Sequence, residues 1–345
     1  MTGIAAPEPK AIAENAARLA PYLRKTPVWL WQDELLGRLV SPRTKVLLKL
    51  ELFQHAGTFK ARGALTNLLA LDPDALARGV TAVSAGNHAV AVAWAARTLR
   101  TTARVVMPRT ADPARVARCR ELGAEAILAH DVHEAFAAAK GIEKEEGRAL
   151  IHPFEGERTI LGTATLGAEL LRQAPKLDAV IVPVGGGGLA AGVASAIKQI
   201  RPEIDVLGVE PEGNDVMKRS LASGVPEQAP TGGPHTIADS LSPPYTLPIS
   251  LGLCRQYLDD LVLVSDDAMR ESLALLFRSA RLAVEPAGAA ATAALLGPLR
   301  DRLAGKRVAL IVCGTIISAE RYATHLVAGT ALLDARMASA GTASG

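Results

Sequence analysis

Four consecutive glycines, Gly185 to Gly188, separate the apolar run Asp178–Val184 (DAVIVPV) from the alanine-rich stretch Leu189–Ile200 (LAAGVASAIKQI). Neither a helix interior nor a strand interior favours such a run, because glycine costs too much backbone freedom there. After a buried strand it marks a turn stripped of side chains. Several backbone N–H groups can then converge on an anion at the start of the next helix. Four glycines in a row leave little room for a packing explanation, so the run reads as a phosphate loop. Nothing charged lies between Ala179 and Ile197. Pro183 and the glycines would nonetheless break a membrane span, which leaves strand, loop and helix.

The loop alone does not say which phosphate. Gly185-x-Gly187-x-x-Ala190 also fits a dinucleotide fingerprint, and Glu210 ends the next strand where a ribose-binding acid would stand. A nicotinamide-dependent dehydrogenase is therefore a rival reading. It places the loop in mid-chain and leaves two other turns unexplained.

The rest of the chain repeats the alternation of strand and helix. KVLLKLELF (Lys45–Phe53), GVTAV, ARVVMP, AEAILA, DVLGVE and RVALIVCG read as strands, with helical stretches between them. This pattern predicts an α/β fold of parallel sheets with crossovers. An opening helix is expected over Pro9–Leu23, where Ile12, Ala16, Leu19 and Leu23 recur at helical spacing. At 345 residues the chain fits two domains, with a junction expected near His152–Thr159. The small residues ASAGTASG at the end read as disordered. A net charge of +3, with both signs scattered, argues against nucleic acid as a partner. Three cysteines without a CxxC pair, and acids where a signal peptide has its apolar core, point to a reducing cytoplasm.

Two further turns carry chemistry. Gly57-Thr58-Phe59-Lys60-Ala61-Arg62-Gly63 places a lysine in a partly apolar setting. An exposed lysine is the bland reading; a desolvated one has a lowered pKa and attacks carbonyls. Ser84-Ala85-Gly86-Asn87-His88 opens a helix. Its bland reading is a cap, with a packed histidine. Its functional reading is a carboxylate held by Ser84 and the neighbouring N–H groups, with Asn87 on a phenolic oxygen.

In this order the turns resemble the fold-type II pyridoxal-phosphate enzymes, specifically the serine/threonine dehydratase and serine racemase group. The likeness covers roughly Thr26 to Leu326. Thr26-Pro27, Thr58-Phe59-Lys60-x-Arg62-Gly63, the asparagine loop, Gly185–Gly188 with Leu189, Thr236-Ile237-Ala238-Asp239 and Glu285-Pro286 carry it. The resemblance implies two open parallel-sheet αβα domains, like the tryptophan synthase β chain, with pyridoxal 5'-phosphate in the cleft between them. Residues 1–60 and 156–330 would form the large domain and 61–155 the small one, with a flexible tail over 331–345. Lys60 would carry the cofactor as a Schiff base and later act as the base. Phe59, Asn87, Gly185, Gly186, Gly187, Gly188, Glu285 and Cys313 would complete the cofactor site, with Cys313 against the pyridine nitrogen. Ser84, Ala85, Gly86, Asn87 and His88 would bind the substrate, Ser84 with a catalytic part.

The implied reaction is dehydration of a β-hydroxy-α-amino acid, such as L-serine or L-threonine, to a 2-oxo acid and ammonia. A homodimer is implied as well. A β-replacement synthase or racemase of the same fold, and a non-catalytic ligand-binding relative, are the alternatives. The group's racemases carry a hydroxyl where this chain has Ala85, and a methyl group moves no proton. Four positions depart from the pattern, one of them Val90, which stands where the group often has Gln after the asparagine loop. Ile316 stands where the group has Asn, and Thr163 where it has Gln. Val216 stands where a second cation-binding acid would join Glu210, with Asp215 one place early, so no metal is predicted.

Overall fold

The computed structural model describes residues 4–342 except 231, 232 and 234. Among the described residues ten strands form two sheets. The larger takes β1 (Val28–Trp31), β2 (Lys45–Leu50), β7 (Ala179–Pro183), β8 (Asp205–Pro211), β9 (Asp260–Val264) and β10 (Arg307–Val312) in the order β1-β2-β10-β7-β8-β9. The smaller takes β3 (Val80–Val83), β4 (Ala103–Pro108), β5 (Glu125–Ala129) and β6 (Ala149–Ile151) in the order β5-β4-β3-β6. Every pairing is parallel except β1 with β2. This is the α/β architecture of parallel sheets that the alternation of strand and helix predicts.

Parallel strands covered on both faces need side chains that tolerate burial on either side. Accordingly Ala179–Val182 of β7 and Val308–Val312 of β10 are wholly buried. Because β2, β10 and β7 run parallel, the turns after them leave from one end of the sheet. Those turns lead to Lys60, Cys313 and Gly185–Gly188. In the smaller sheet the turn after β3 leads to Ser84.

Several expectations need correction. The opening helix stops at Leu19, not Leu23, because Pro21 has no N–H to continue it. The strand expected over Lys45–Phe53 ends at Leu50 and passes into a 3-10 turn, Glu51–Phe53, that buries the Glu51 carboxylate. The expected tail is helical over much of its length: one helix runs Ala319–Thr342, anchored by buried Leu333 and Met337. Residues 343–345 of that tail lie outside the described residues. Strands β1, β6 and β9 were not anticipated.

Two motif residues turn out to be structural. Thr26 and Arg62 belong to a buried polar cluster with Lys49, Glu51 and Glu169. Arg62 donates to both Glu51 oxygens at 2.8 Å and to Glu169 at 3.1 Å, while Lys49 reaches Glu169 and the Thr26 carbonyl. The Thr26 hydroxyl donates to Glu51. The cluster anchors the helix Lys60–Leu69 to the helix Glu157–Gln173.

Candidate active site

Lys60 opens its helix beside the turn that follows β10. Phe59 N–H donates to the Cys313 carbonyl at 3.1 Å, Thr315 N–H donates to the Gly57 carbonyl at 3.0 Å, and Thr58 pairs with Gly314. Main-chain bonds therefore set the lysine against Cys313. Lys60 is half-buried, and its Nζ donates to the Pro153 carbonyl at 2.5 Å. Burial pushes its amine down to about 8, against the opposing pull of Cys313 and Glu285. An amine held there is a competent nucleophile and base near neutral pH.

The lysine opens on a cleft with a cavity volume of about 160 Å³. Phe59, Ser84, Ala85, Gly86, Asn87 and His88 line it, and so do Gly185–Gly188 and Cys313. Residues that lie far apart in sequence thus meet at one cleft. The Cys313 thiol is buried, and desolvation with Glu285 nearby pushes its pKa up, so it is neutral. Ser84 Oγ accepts from Gly86 N–H at 3.0 Å, which leaves its own proton to donate. His88 is buried with Nε2 on the Ile151 carbonyl at 2.8 Å; burial and Lys60 push its pKa down to about 3, so the ring is neutral.

Glu285 stands behind this surface instead of lining it. It is 1% exposed, accepts from Asn87 Nδ2 at 2.5 Å and from Ser240 Oγ at 2.9 Å, and pairs with Arg115 at 3.1 Å. Burial, with Asp239 nearby, pushes its carboxyl up against the pull of Arg115. A Cβ on Gly314 would fall 2.2 Å from Glu285 Oε1, so only glycine leaves room there for the carboxylate.

The glycine run has a packing explanation after all. A Cβ on Gly186 would lie 2.2 Å from the Phe154 ring, and one on Gly188 would lie 2.3 Å from the Phe154 carbonyl. Gly187, at φ +91°, is crowded by Met217. The same turn starts the helix Gly188–Lys198, whose first N–H groups have no intrahelical acceptor and suit an anion. Thr163 Oγ donates to the Gly188 carbonyl at 2.7 Å and buttresses that turn. Glu210 is fully buried, and its two oxygens accept from Met217 and Lys218 N–H. It caps a helix start and does not line the cleft, so it cannot serve as the ribose-binding acid of the dehydrogenase reading.

Arg115 escaped the sequence reading. From the helix Pro113–Glu121 it reaches Asp239 at 2.7 Å, Glu285 at 3.1 Å and the Ile316 carbonyl at 2.8 Å. Gly86 lets it pass, since a Cβ there would lie 2.8 Å from Nη1. Nothing in ADPARVARCRELGA marks this arginine among its basic neighbours. Ile316 contributes its carbonyl to this contact, and its half-buried side chain packs with the core of the smaller sheet.

A family model described as pyridoxal-phosphate dependent enzyme matches residues 19–314. The chain belongs to this family. Among curated relatives of this pyridoxal-phosphate enzyme, a phenylserine dehydratase from Ralstonia pickettii is 55% identical over 323 residues, 94% of this chain and 97% of the relative. An L-threonine ammonia-lyase from Thermotoga maritima is 37% identical over 271 residues, 78% of this chain and 67% of the relative. The structure of maize serine racemase superposes with a TM-score of 0.86 at 34% identity, covering 94% of this chain and 98% of that one.

The cleft of this pyridoxal-phosphate enzyme fits its cofactor. Asn87 Oδ1 is buried without a hydrogen-bond partner, so part of the amide's capacity is open to a polar ring substituent. Lys60 would supply the amine, the helix start at Gly188 the anion site, and Cys313 a neutral group.

Proposed function

We propose that the chain dehydrates β-hydroxy-α-amino acids to a 2-oxo acid and ammonia, with a phenylserine as the first substrate to try. The observation that carries this reading is the meeting of Lys60, the asparagine loop, the glycine turn and a neutral Cys313 at one cleft. The dehydratase and ammonia-lyase relatives support it.

Lys60 would hold the cofactor covalently, the N–H groups of Gly185–Gly188 its phosphate, and Asn87 its phenolic oxygen. Pyridoxal phosphate supplies the electron sink that makes the substrate's α-proton acidic. The protein's own groups do the rest. Ser84 and the neighbouring N–H groups at the start of the helix Asn87–Thr98 hold the substrate carboxylate. Once the substrate's own amine has taken its place, the freed Lys60 amine would take the α-proton and pass it to the β-hydroxyl, which would leave as water. Cys313, neutral, donates no charge to the ring nitrogen, which suits rapid elimination. The freed enamine tautomerises and hydrolyses in water. The two-domain division at 61–155 and the homodimer belong to the same proposal.

The test is the visible spectrum of the purified protein, followed by assay of 2-oxo acid from phenylserine, L-threonine and L-serine. A Schiff-base band that is absent in Lys60→Ala, with 2-oxo acid from at least one substrate, is the expected result. A band with no 2-oxo acid from any of them would refute the dehydratase reading.

A further inference from the structure

One wall of the cleft takes no part in the elimination as described. The chain is poor in aromatic residues, with five phenylalanines, four tyrosines and three tryptophans. Three of the five phenylalanines, Phe59, Phe136 and Phe154, nevertheless line this cleft. Phe136 comes from the helix Val132–Glu146, Phe154 from the segment after β6, and Tyr245 from a loop of the larger sheet's half. The Phe136 ring lies 5.9 Å from that of Tyr245 and 6.1 Å from that of His152, both tilted. Phe154 stands edge-on to His152 at 4.7 Å and to Tyr245 at 6.3 Å. Val132, Pro243 and Pro244 extend the apolar lining.

The wall carries no charge. Burial, with Lys60 and Lys140 nearby, pushes His152 down to about 4, and its Nδ1 accepts from the N–H groups of Phe154 and Glu155. The charged residues that line the cleft are engaged elsewhere: Lys60 with the Pro153 carbonyl, Arg115 and Asp239 with each other. A substrate carboxylate meets no cation among Val132, Phe136, Phe154, Pro243 and Pro244 on this wall. A flat apolar group has several, since aromatic rings attract one another at centroid separations of about 4.5–7 Å in tilted or edge-on arrangements. Phe136 is half-buried, so its ring has surface left to offer, whereas Phe154 is packed against the glycine turn.

We propose that Phe136, backed by Tyr245 and Phe154, determines specificity by receiving an aryl ring on the substrate carbon that bears the hydroxyl. This inference rests on the dehydratase reading and assigns its side-chain selection to named residues. A methyl group in the same place, as in threonine, reaches few of these contacts.

The experiment compares kcat/KM for phenylserine and for L-threonine in wild type, Phe136→Ala and Phe136→Leu, each loaded with cofactor. Loss of the ring is expected to lower kcat/KM for phenylserine about 10–100-fold and that for threonine less than about threefold. Phe136→Leu, which keeps apolar volume without the flat face, falls between. It carries the test if the alanine variant loses its cofactor band. A phenylserine-to-threonine ratio unchanged within about twofold overturns the role of Phe136. A wild type that handles threonine as well as phenylserine overturns aryl selection and leaves the dehydratase reading standing. Absence of 2-oxo acid from every β-hydroxy amino acid removes that reading itself, and the inference with it.

Discussion

Replacing Arg62 by methionine would expose how far the site depends on the charge cluster beneath it. The guanidinium donates Nε to Glu51 Oε2 and Nη2 to Glu51 Oε1, both at 2.8 Å, and Nη2 also reaches Glu169 at 3.1 Å. The side chains of Arg62, Glu51 and Glu169 are 3%, 0% and 12% exposed. Lys49, at 0%, lies 2.5 Å from Glu169 and 4.0 Å from Glu51. Two cations thus balance two carboxylates out of reach of water. Removing Arg62 leaves the Glu51 charge buried with the neutral Thr26 hydroxyl and the longer contact to Lys49. Breaking such a group costs about 3–5 kcal/mol, where an exposed pair would cost about 0–1 kcal/mol. Against a total stability of roughly 5–15 kcal/mol this is a large share.

The sign of the pH dependence follows from Glu51. Burial pushes its carboxyl up, but Arg62 and Lys49 outweigh that, so its folded pKa lies below the ordinary value. The stabilisation is therefore present above the ordinary carboxylate range and is lost as pH falls through the depressed folded value. The deficit of Arg62→Met should be largest at neutral pH and shrink in acid. Urea unfolding followed by tryptophan fluorescence, at neutral pH and in mild acid, measures both. Adding Glu51→Gln should restore part of the loss, with a coupling of about 0.5–3 kcal/mol. A loss under about 1 kcal/mol at neutral pH, or one that grows on acidification, would refute the reasoning.

Three further outcomes are expected. Only a neutral amine attacks an aldehyde, and Lys60 is held at about 8. Reconstitution of apoenzyme with pyridoxal phosphate should therefore accelerate as pH rises and level off above that value; stopped-flow absorbance showing acceleration continuing beyond about pH 10, as for an ordinary lysine, would contradict it. Gly186→Ala puts a methyl 2.2 Å from the Phe154 ring, so it should cost about 1–3 kcal/mol of stability and weaken the cofactor in an absorbance titration; unchanged affinity and Tm would count against the packing account. Ala85→Ser adds a hydroxyl at an exposed position lining the cleft, and chiral chromatography should detect D-serine from L-serine; none formed would sink the reading of that position.

The alternation of buried strand, glycine turn and helix made the parallel sheets legible in the sequence, and the unusual turns made the cleft legible. What escaped were elements whose identity depends on their neighbours. Strand β1 is a four-residue edge that pairs antiparallel, β6 has three residues, and β9 follows a helix with no turn chemistry to announce it. Arg115 was hidden because its partners Asp239, Glu285 and the Ile316 carbonyl lie more than a hundred residues away. Phe136 belongs to no motif and gains its neighbours only when three segments meet. Glu285 showed the opposite failure. Its motif was visible, but only the packing of Asn87, Ser240 and Arg115 around it shows that it works from behind the cleft wall.

The main-chain bonds between the lysine turn and the Cys313 turn separate two properties that a catalyst usually has to trade against each other. Where Lys60 sits is written in the backbone, through Phe59 with Cys313, Thr58 with Gly314 and Gly57 with Thr315. What lines the cleft, or packs just beyond it, is written in side chains that those bonds do not use. Mutation can therefore retune the chemistry at Cys313, or exchange a polar residue for Ile316, while the amine keeps its place. Such a joint leaves a lineage free to explore new reactions without first dismantling the old one.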